Sequence, residues 1–157
     1  MDPVAEKTKT AEDEQTVGHL RDRPGVLVVD AEHIVRVMVQ LALERESLDV
    51  WLASNGREAI HLYHEHRDEI DVVLLDDGIT DLEWPQTLDA LRELNPKLLV
   101  CFMSGATDSH RSEELRHRGA ACVVAKPFRL DHLVRVLRLL LLGVPPDLSP
   151  SGEGCQR

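Results

Sequence analysis

Residues 24–41 read PGVLVVDAEHIVRVMVQL, a turn signal followed by four apolar residues, an aspartate and a run with helical spacing. The apolar stretch Val26 to Val29 stops on Asp30, and the pattern recurs down the chain. Val72 to Leu75 stop on Asp76, Leu98 to Met103 on Ser104, and Cys122 to Ala125 on Lys126. Short, almost continuous apolar runs separated by amphipathic stretches read as parallel strands buried on both faces. In open parallel sheets, ligands bind beyond the carboxyl ends of the strands. Two carboxylates, a hydroxyl and an ammonium are therefore expected to meet along one edge. Carboxylates suit a hard divalent cation, and a hydroxyl and an ammonium suit phosphate oxygens.

Working outward, Ile34, Val37, Met38 and Leu41 recur at helical spacing within a helix expected over residues 32–47. A second strand is expected over 48–53, a turn at Asn55 and Gly56, and a helix over 58–68 carrying Ala59, Leu62 and Tyr63 on one face. A third strand over 70–76 leads through the loop Asp77 to Asp81 into a helix that Pro85 opens, with Leu88, Leu91 and Leu94 inward. Strand four spans 97–103, a polar helix covers 108–118 and ends at Gly119, strand five spans 121–125, and a last helix covers 130–142. Five alternating units with short connections predict an α/β domain with a doubly wound, five-stranded parallel sheet and helices on both faces. The flavodoxin-like order 2-1-3-4-5 fits, and its switch point between strands one and three sets Asp30 beside Asp76.

Composition narrows the function. A chain of 157 residues, 43% hydrophobic, has room for one domain, expected over 24–143, with an acidic disordered tail over 1–23 and a flexible tail over 144–157. A formal net charge of -10 argues against direct binding to nucleic acid or an anionic membrane. No stretch approaches the roughly 20 apolar residues of a membrane helix, so a cytoplasmic protein is expected. Cys101, Cys122 and Cys155 form no CxxC pair and read as reduced thiols. His61, His64 and His66 lack a completing soft ligand and read as a solvated helix surface. A flavin site is disfavoured, since the segment Asp30 to His33 places two acids where a flavin phosphate would lie.

The segments VLVVDAE at 26–32, DVVLLD at 71–76, MSG at 103–105 and KPF at 126–128 together resemble the receiver domain of two-component response regulators. The resemblance covers residues 25–142. It implies that Asp76 accepts a phosphoryl group from a phosphohistidine on a histidine kinase or histidine phosphotransfer protein. It further implies Mg²⁺ held by Asp30, Asp76 and the main-chain carbonyl of Gly78, with Ser104 and Lys126 on the remaining phosphoryl oxygens, and a cis Lys126-Pro127 bond. By the same resemblance the protein is a response regulator rather than an enzyme, a phosphoprotein that assists its own phosphotransfer and dephosphorylation. With no output domain within the chain, a stand-alone phosphorelay receiver signalling through a separate downstream protein is expected.

Four positions depart from the family pattern. Ala31 stands where the family has a second acid that ligates the metal, which predicts weakened Mg²⁺ binding, with Glu32 kept as a candidate ligand. Asp77 follows the acceptor and offers a second carboxylate or an alternative phosphorylation site; strand alternation turns it to the face opposite Asp76, which is favoured because it ends the apolar run as the family pattern does. Val123 takes the place of the family's aromatic switch on strand five. Thr80 and Trp84 stand where the family favours Pro and Gly. A phosphorylation-independent interaction module with a decayed metal site is therefore the alternative, separable by Asp76→Asn. The run Leu139 to Leu142 is apolar all round, more than one sheet face requires, and suggests a homodimer contact through the last helix.

Overall fold

The computed structural model describes residues 22–105 and 109–146. Of the expected tails at 1–23 and 144–157, residues 1–21 and 147–157, with Cys155, lie outside the described residues, as do Ala106, Thr107 and Asp108. Among the described residues, five strands, β1 (Gly25–Val29), β2 (Asp49–Ala53), β3 (Val72–Asp76), β4 (Leu99–Ser104) and β5 (Cys122–Ala125), alternate with five helices. The helices are α1 (His33–Glu44), α2 (Gly56–His66), α3 (Trp84–Leu94), α4 (Ser109–His117) and α5 (Leu130–Leu141). All strand pairs are parallel, in the order β2-β1-β3-β4-β5. The fold class and strand order are those the βα alternation predicts.

Strand alternation divides the apolar residues between two cores. Leu27, Val29, Val73, Leu75, Val100 and Phe102 pack with residues of α2, α3 and α4, while Val26, Val28, Leu74, Cys101 and Met103 pack with residues of α1 and α5. Both central strands, β1 and β3, are buried along their whole length, which explains why their sequences run apolar without alternating. Each fully buried Val or Leu contributes about 1.5–3 kcal/mol against leaving it in water.

Local chemistry sets the helix ends. Asn55 caps α2 by accepting from the Glu58 amide at 2.9 Å, and the Glu58 carboxylate accepts from the Ser54 amide and hydroxyl, a reciprocal box. Pro85 stands in the first turn of α3, where its missing amide proton costs nothing. The α1 reading differs in face. Val39 and Leu43 are buried, whereas Ile34, Met38 and Leu41 are 61%, 48% and 56% exposed. Val35 and Val39 supply a second apolar row on the same helix, and a period of 3.6 finds both rows without choosing which meets the sheet.

The last helix buries Leu133, Val136, Leu137 and Leu140, and Arg138 reaches from it to the carbonyl and carboxylate of Glu46 beyond α1. Leu142 remains 76% exposed past the helix end.

Gly25 is fixed by close approach. A Cβ there would stand 1.9 Å from the Glu69 carbonyl oxygen and 2.7 Å from the Trp51 ring. Its amide donates to Asp71 Oδ2 at 2.8 Å and its carbonyl accepts from the Asp71 amide, so the backbone has no room to retreat. Gly25→Ala is expected to cost about 2 kcal/mol or more through overpacking against main chain, read as a lowered urea midpoint with an unchanged slope. A midpoint equal to that of the parent chain would refute this account of the β1 entry.

Candidate functional site

Register builds the site. Val29 lies opposite Leu75, so the next residues, Asp30 and Asp76, come out side by side at the ends of β1 and β3. Asp76 pairs with Met103 and Ser104 with Ala125, which carries Lys126 to the same edge. The Lys126 amide donates to the Ser104 carbonyl at 2.8 Å, and the Lys126-Pro127 peptide is cis. Lys126 Nζ then lies 2.7 Å from Asp30 Oδ2 and 3.0 Å from Asp76 Oδ1, one ammonium bridging two carboxylates.

Asp30 is fully buried and Asp76 is 8% exposed. The second Asp30 oxygen, Oδ1, accepts from the Glu32 amide at 2.9 Å, so this residue shapes the loop as well as facing the crevice. Arg36, which sequence reasoning passed over as an ordinary helix residue, donates to the carbonyls of Asp30 at 2.6 Å and Ala31 at 3.1 Å and ties the loop to α1. The Glu32 side chain is exposed and lines a groove of about 400 Å³ with Val35, Met38, Lys126 and Phe128.

Ser104 and Asp77 belong to the other sheet face. The Ser104 hydroxyl donates to Asp77 Oδ2 at 2.7 Å, and Arg111 Nε on α4 lies 3.9 Å from the same oxygen. Of the four strand-end groups, Asp30, Asp76 and Lys126 thus meet directly, while Ser104 is engaged by Asp77. Arg111 also lies over the ring of Trp84, 5.9 Å from its centroid, with Arg118 at 5.8 Å. Trp84 meets Phe102 edge to face at 5.4 Å. Val123 packs partly buried against this same core.

Burial pushes the Asp76 carboxyl above the usual carboxylate range; the bond from Lys126 pulls it back, and the charges of Asp30 and Asp77 push it up further. Burial pulls Lys126 down, but bonds to Asp30 and Asp76 together outweigh it and hold the ammonium above its ordinary value. The two shifts are compatible because Lys126 sees two carboxylates, whereas Asp76 shares its single ammonium with Asp30.

Among the described residues, no group of three His, Cys, Asp or Glu is placed to hold a metal. The oxygen chemistry of Asp30, Asp76 and the Gly78 carbonyl nevertheless suits a hard cation that keeps most of its water. Gly78 approaches Asp76 closely, since a Cβ there would stand 3.3 Å from Asp76 Oδ2. Ala31 contributes no side-chain donor, and the residues therefore fit Mg²⁺ as a reduced set.

The model of the response regulator receiver domain matches residues 26–138. The chain belongs to this family, the receiver domain of two-component response regulators. Among curated relatives, the probable transcriptional regulatory protein TcrX of Mycobacterium tuberculosis is 34% identical over 116 residues, 74% of this chain and 49% of that protein. The regulatory protein AtoC of Escherichia coli is 30% identical over 116 residues, again 74% of this chain but 25% of its own length. The receiver thus spans a quarter to a half of these two relatives. The receiver domain of a Francisella response regulator superposes with a TM-score of 0.71 at 25% identity, covering 77% of this chain and 98% of that one. Receiver domains are signalling domains that interact with kinases and downstream proteins. Among the described residues, no helix is long and apolar enough to cross a membrane.

Because the folded receiver holds the Asp76 proton more tightly than the unfolded chain does, ionising Asp76 costs stability as pH rises through its folded pKa. Asp76→Asn keeps the neutral shape and is expected to raise the urea midpoint at pH 7 in buffer containing a metal chelator. The gain should shrink as pH falls through the folded pKa towards the ordinary carboxylate range. A midpoint lowered at pH 7 would mean that the Lys126 bond outweighs burial.

Proposed function

We propose that this receiver accepts a phosphoryl group on Asp76 from a phosphohistidine of a histidine kinase or histidine phosphotransfer protein. The observation that carries the reading is the Lys126 ammonium within 3.0 Å of both Asp30 and Asp76 at the carboxyl edge of the sheet. An Asp76 oxygen forms the new P–O bond as the P–N bond breaks, and the departing imidazole takes up a proton. Phosphoryl transfer asks the protein for alignment and for neutralisation of the equatorial oxygens. Lys126 supplies one positive charge. Mg²⁺, held by Asp30, Asp76 and the Gly78 carbonyl, supplies further neutralisation when bound. Glu32 is exposed beside the groove and stays a candidate for an outer, water-mediated contact.

On this reading the receiver unit covers 24–143 of a cytoplasmic protein, with tails at 1–23 and 144–157, and it reports phosphorylation to a downstream protein. Exposed Met38, which lines the groove next to Lys126 with Val35 and Phe128, supports an apolar partner surface close to the acceptor. Exposed Leu142 and Val144 support the homodimer contact at the end of the last helix.

The second reading, an interaction module independent of phosphate, is favoured by Ala31, which removes a metal donor, and by Val123, which has no ring to swing. Intact Asp76 and Lys126 oppose it.

Incubation with Mg²⁺ and acetyl phosphate, followed by intact-mass measurement, decides between the two. One phosphoryl group is expected on the parent chain and none on Asp76→Asn; lack of uptake at high Mg²⁺, where a known active receiver labels, selects the second reading. Ala31→Asp adds a carboxylate to the donor set and is expected to lower the Mg²⁺ concentration that gives half-maximal labelling. A requirement unchanged by Ala31→Asp would show that Ala31 does not limit metal binding.

A further inference from the structure

A hydroxyl has one proton to donate. The Ser104 proton is given to Asp77 Oδ2 at 2.7 Å, so it cannot at the same time be given to a phosphoryl oxygen on Asp76. We infer that Asp77 is a positioning residue for phosphorylation: its carboxylate holds the Ser104 hydroxyl off the phosphoryl site and must release it before the phosphoryl group is fully bound. This rests on Asp76 as the phosphoacceptor.

The latch is built into the sheet. Asp76 and Met103 are register partners, so the residues that follow them, Asp77 and Ser104, stand opposite each other on the same face. The Asp77 amide donates to the Met103 carbonyl at 3.0 Å, which keeps the pairing going one step past the strand end. The Asp77 side chain is 9% exposed and Ser104 is 2% exposed, so water competes poorly for either partner. At 2.7 Å the bond has the short length typical of a hydroxyl donating to a carboxylate. Arg111 Nε, 3.9 Å from Asp77 Oδ2, holds the carboxylate near this place and stacks over Trp84 as well. A neutral, non-accepting side chain after Asp76 would remove this carboxylate acceptor from the hydroxyl. Asp77 instead imposes an exchange of one anionic acceptor, the carboxylate, for another, the phosphoryl oxygen.

The test uses the full chain with Mg²⁺ and acetyl phosphate, reading the initial rate of mass gain. In this reaction an Asp76 oxygen bonds to phosphorus as the P–O bond to acetate breaks and acetate leaves. Asp77→Ala is expected to label about ten-fold faster than the parent, the scale of one hydrogen bond to a charged group. In a Ser104→Ala background the same substitution is expected to change nothing, since no hydroxyl remains to be held. Asp77→Asn preserves an acceptor of the same shape and provides a check independent of the folding of the alanine variant. It should give a smaller acceleration that also vanishes with Ser104→Ala.

Equal rates for the parent, Asp77→Ala and Asp77→Asn would overturn the latch and leave Asp76 as acceptor. An acceleration that persists undiminished without the Ser104 hydroxyl would overturn it too, because simple charge repulsion by Asp77 would explain that result. Absence of labelling in every variant, with an active receiver labelling alongside, would remove the acceptor reading and the latch together.

Discussion

The parallel register of β1, β3 and β4 is the constraint on which the rest depends. Side chains alternate faces along a strand, so a slip of one residue would send Asp30 or Asp76 to the wrong side of the sheet. The apolar runs prevent it. Val26, Val28, Val72 and Leu74 belong to one core and Leu27, Val29, Val73 and Leu75 to the other, and slipping either strand would break the match with the helices on both faces. The chemistry at the strand ends is thus positioned by packing that lies wholly beneath it.

That packing also sets the electrostatics. Two carboxylates are taken largely out of water and share one ammonium between them. Removing the single ammonium from such a buried arrangement is strongly destabilising, because the carboxylates left behind cannot recover their hydration. Burial first, and the neighbouring Asp30 charge after it, hold the Asp76 carboxyl above the usual carboxylate range despite the Lys126 bond.

Where the chain departs from its family, neighbouring contacts reorganise around the difference. Val123 offers no ring on β5, but an aromatic pair, Trp84 and Phe102, occupies the core on the same side of the sheet, with Arg111 and Arg118 of the α4 region against the indole. Arg111 touches both this cluster and Asp77. Asp77 is therefore linked to α4 by charge and to Ser104 by a hydrogen bond, contacts that a ring at Val123 would not supply.

Much of the fold was legible in the sequence because it rests on local patterns. Apolar runs of strand length, helical spacing, Pro85 in a first turn and Asn55 before a helix act within a few residues of themselves, and the αβ alternation leaves few topologies open. The strand-end residues Asp30, Asp76, Ser104 and Lys126 could be named for the same reason. Which face of α1 meets the sheet was not legible, because Val35 and Val39 compete with Ile34, Met38 and Leu41 and only the shape of the core decides between them. The sequence alone also could not pair Ser104 with Asp77, 27 residues apart, or bring Arg36 onto the carbonyls after β1. Those contacts depend on register and on the distance between neighbouring strand ends. The kinds of chemical group at the sheet edge were determined by the sequence itself; which of them touch was decided by tertiary packing, because hydrogen bonds and ion pairs depend on ångström-scale separations that only the assembled sheet defines.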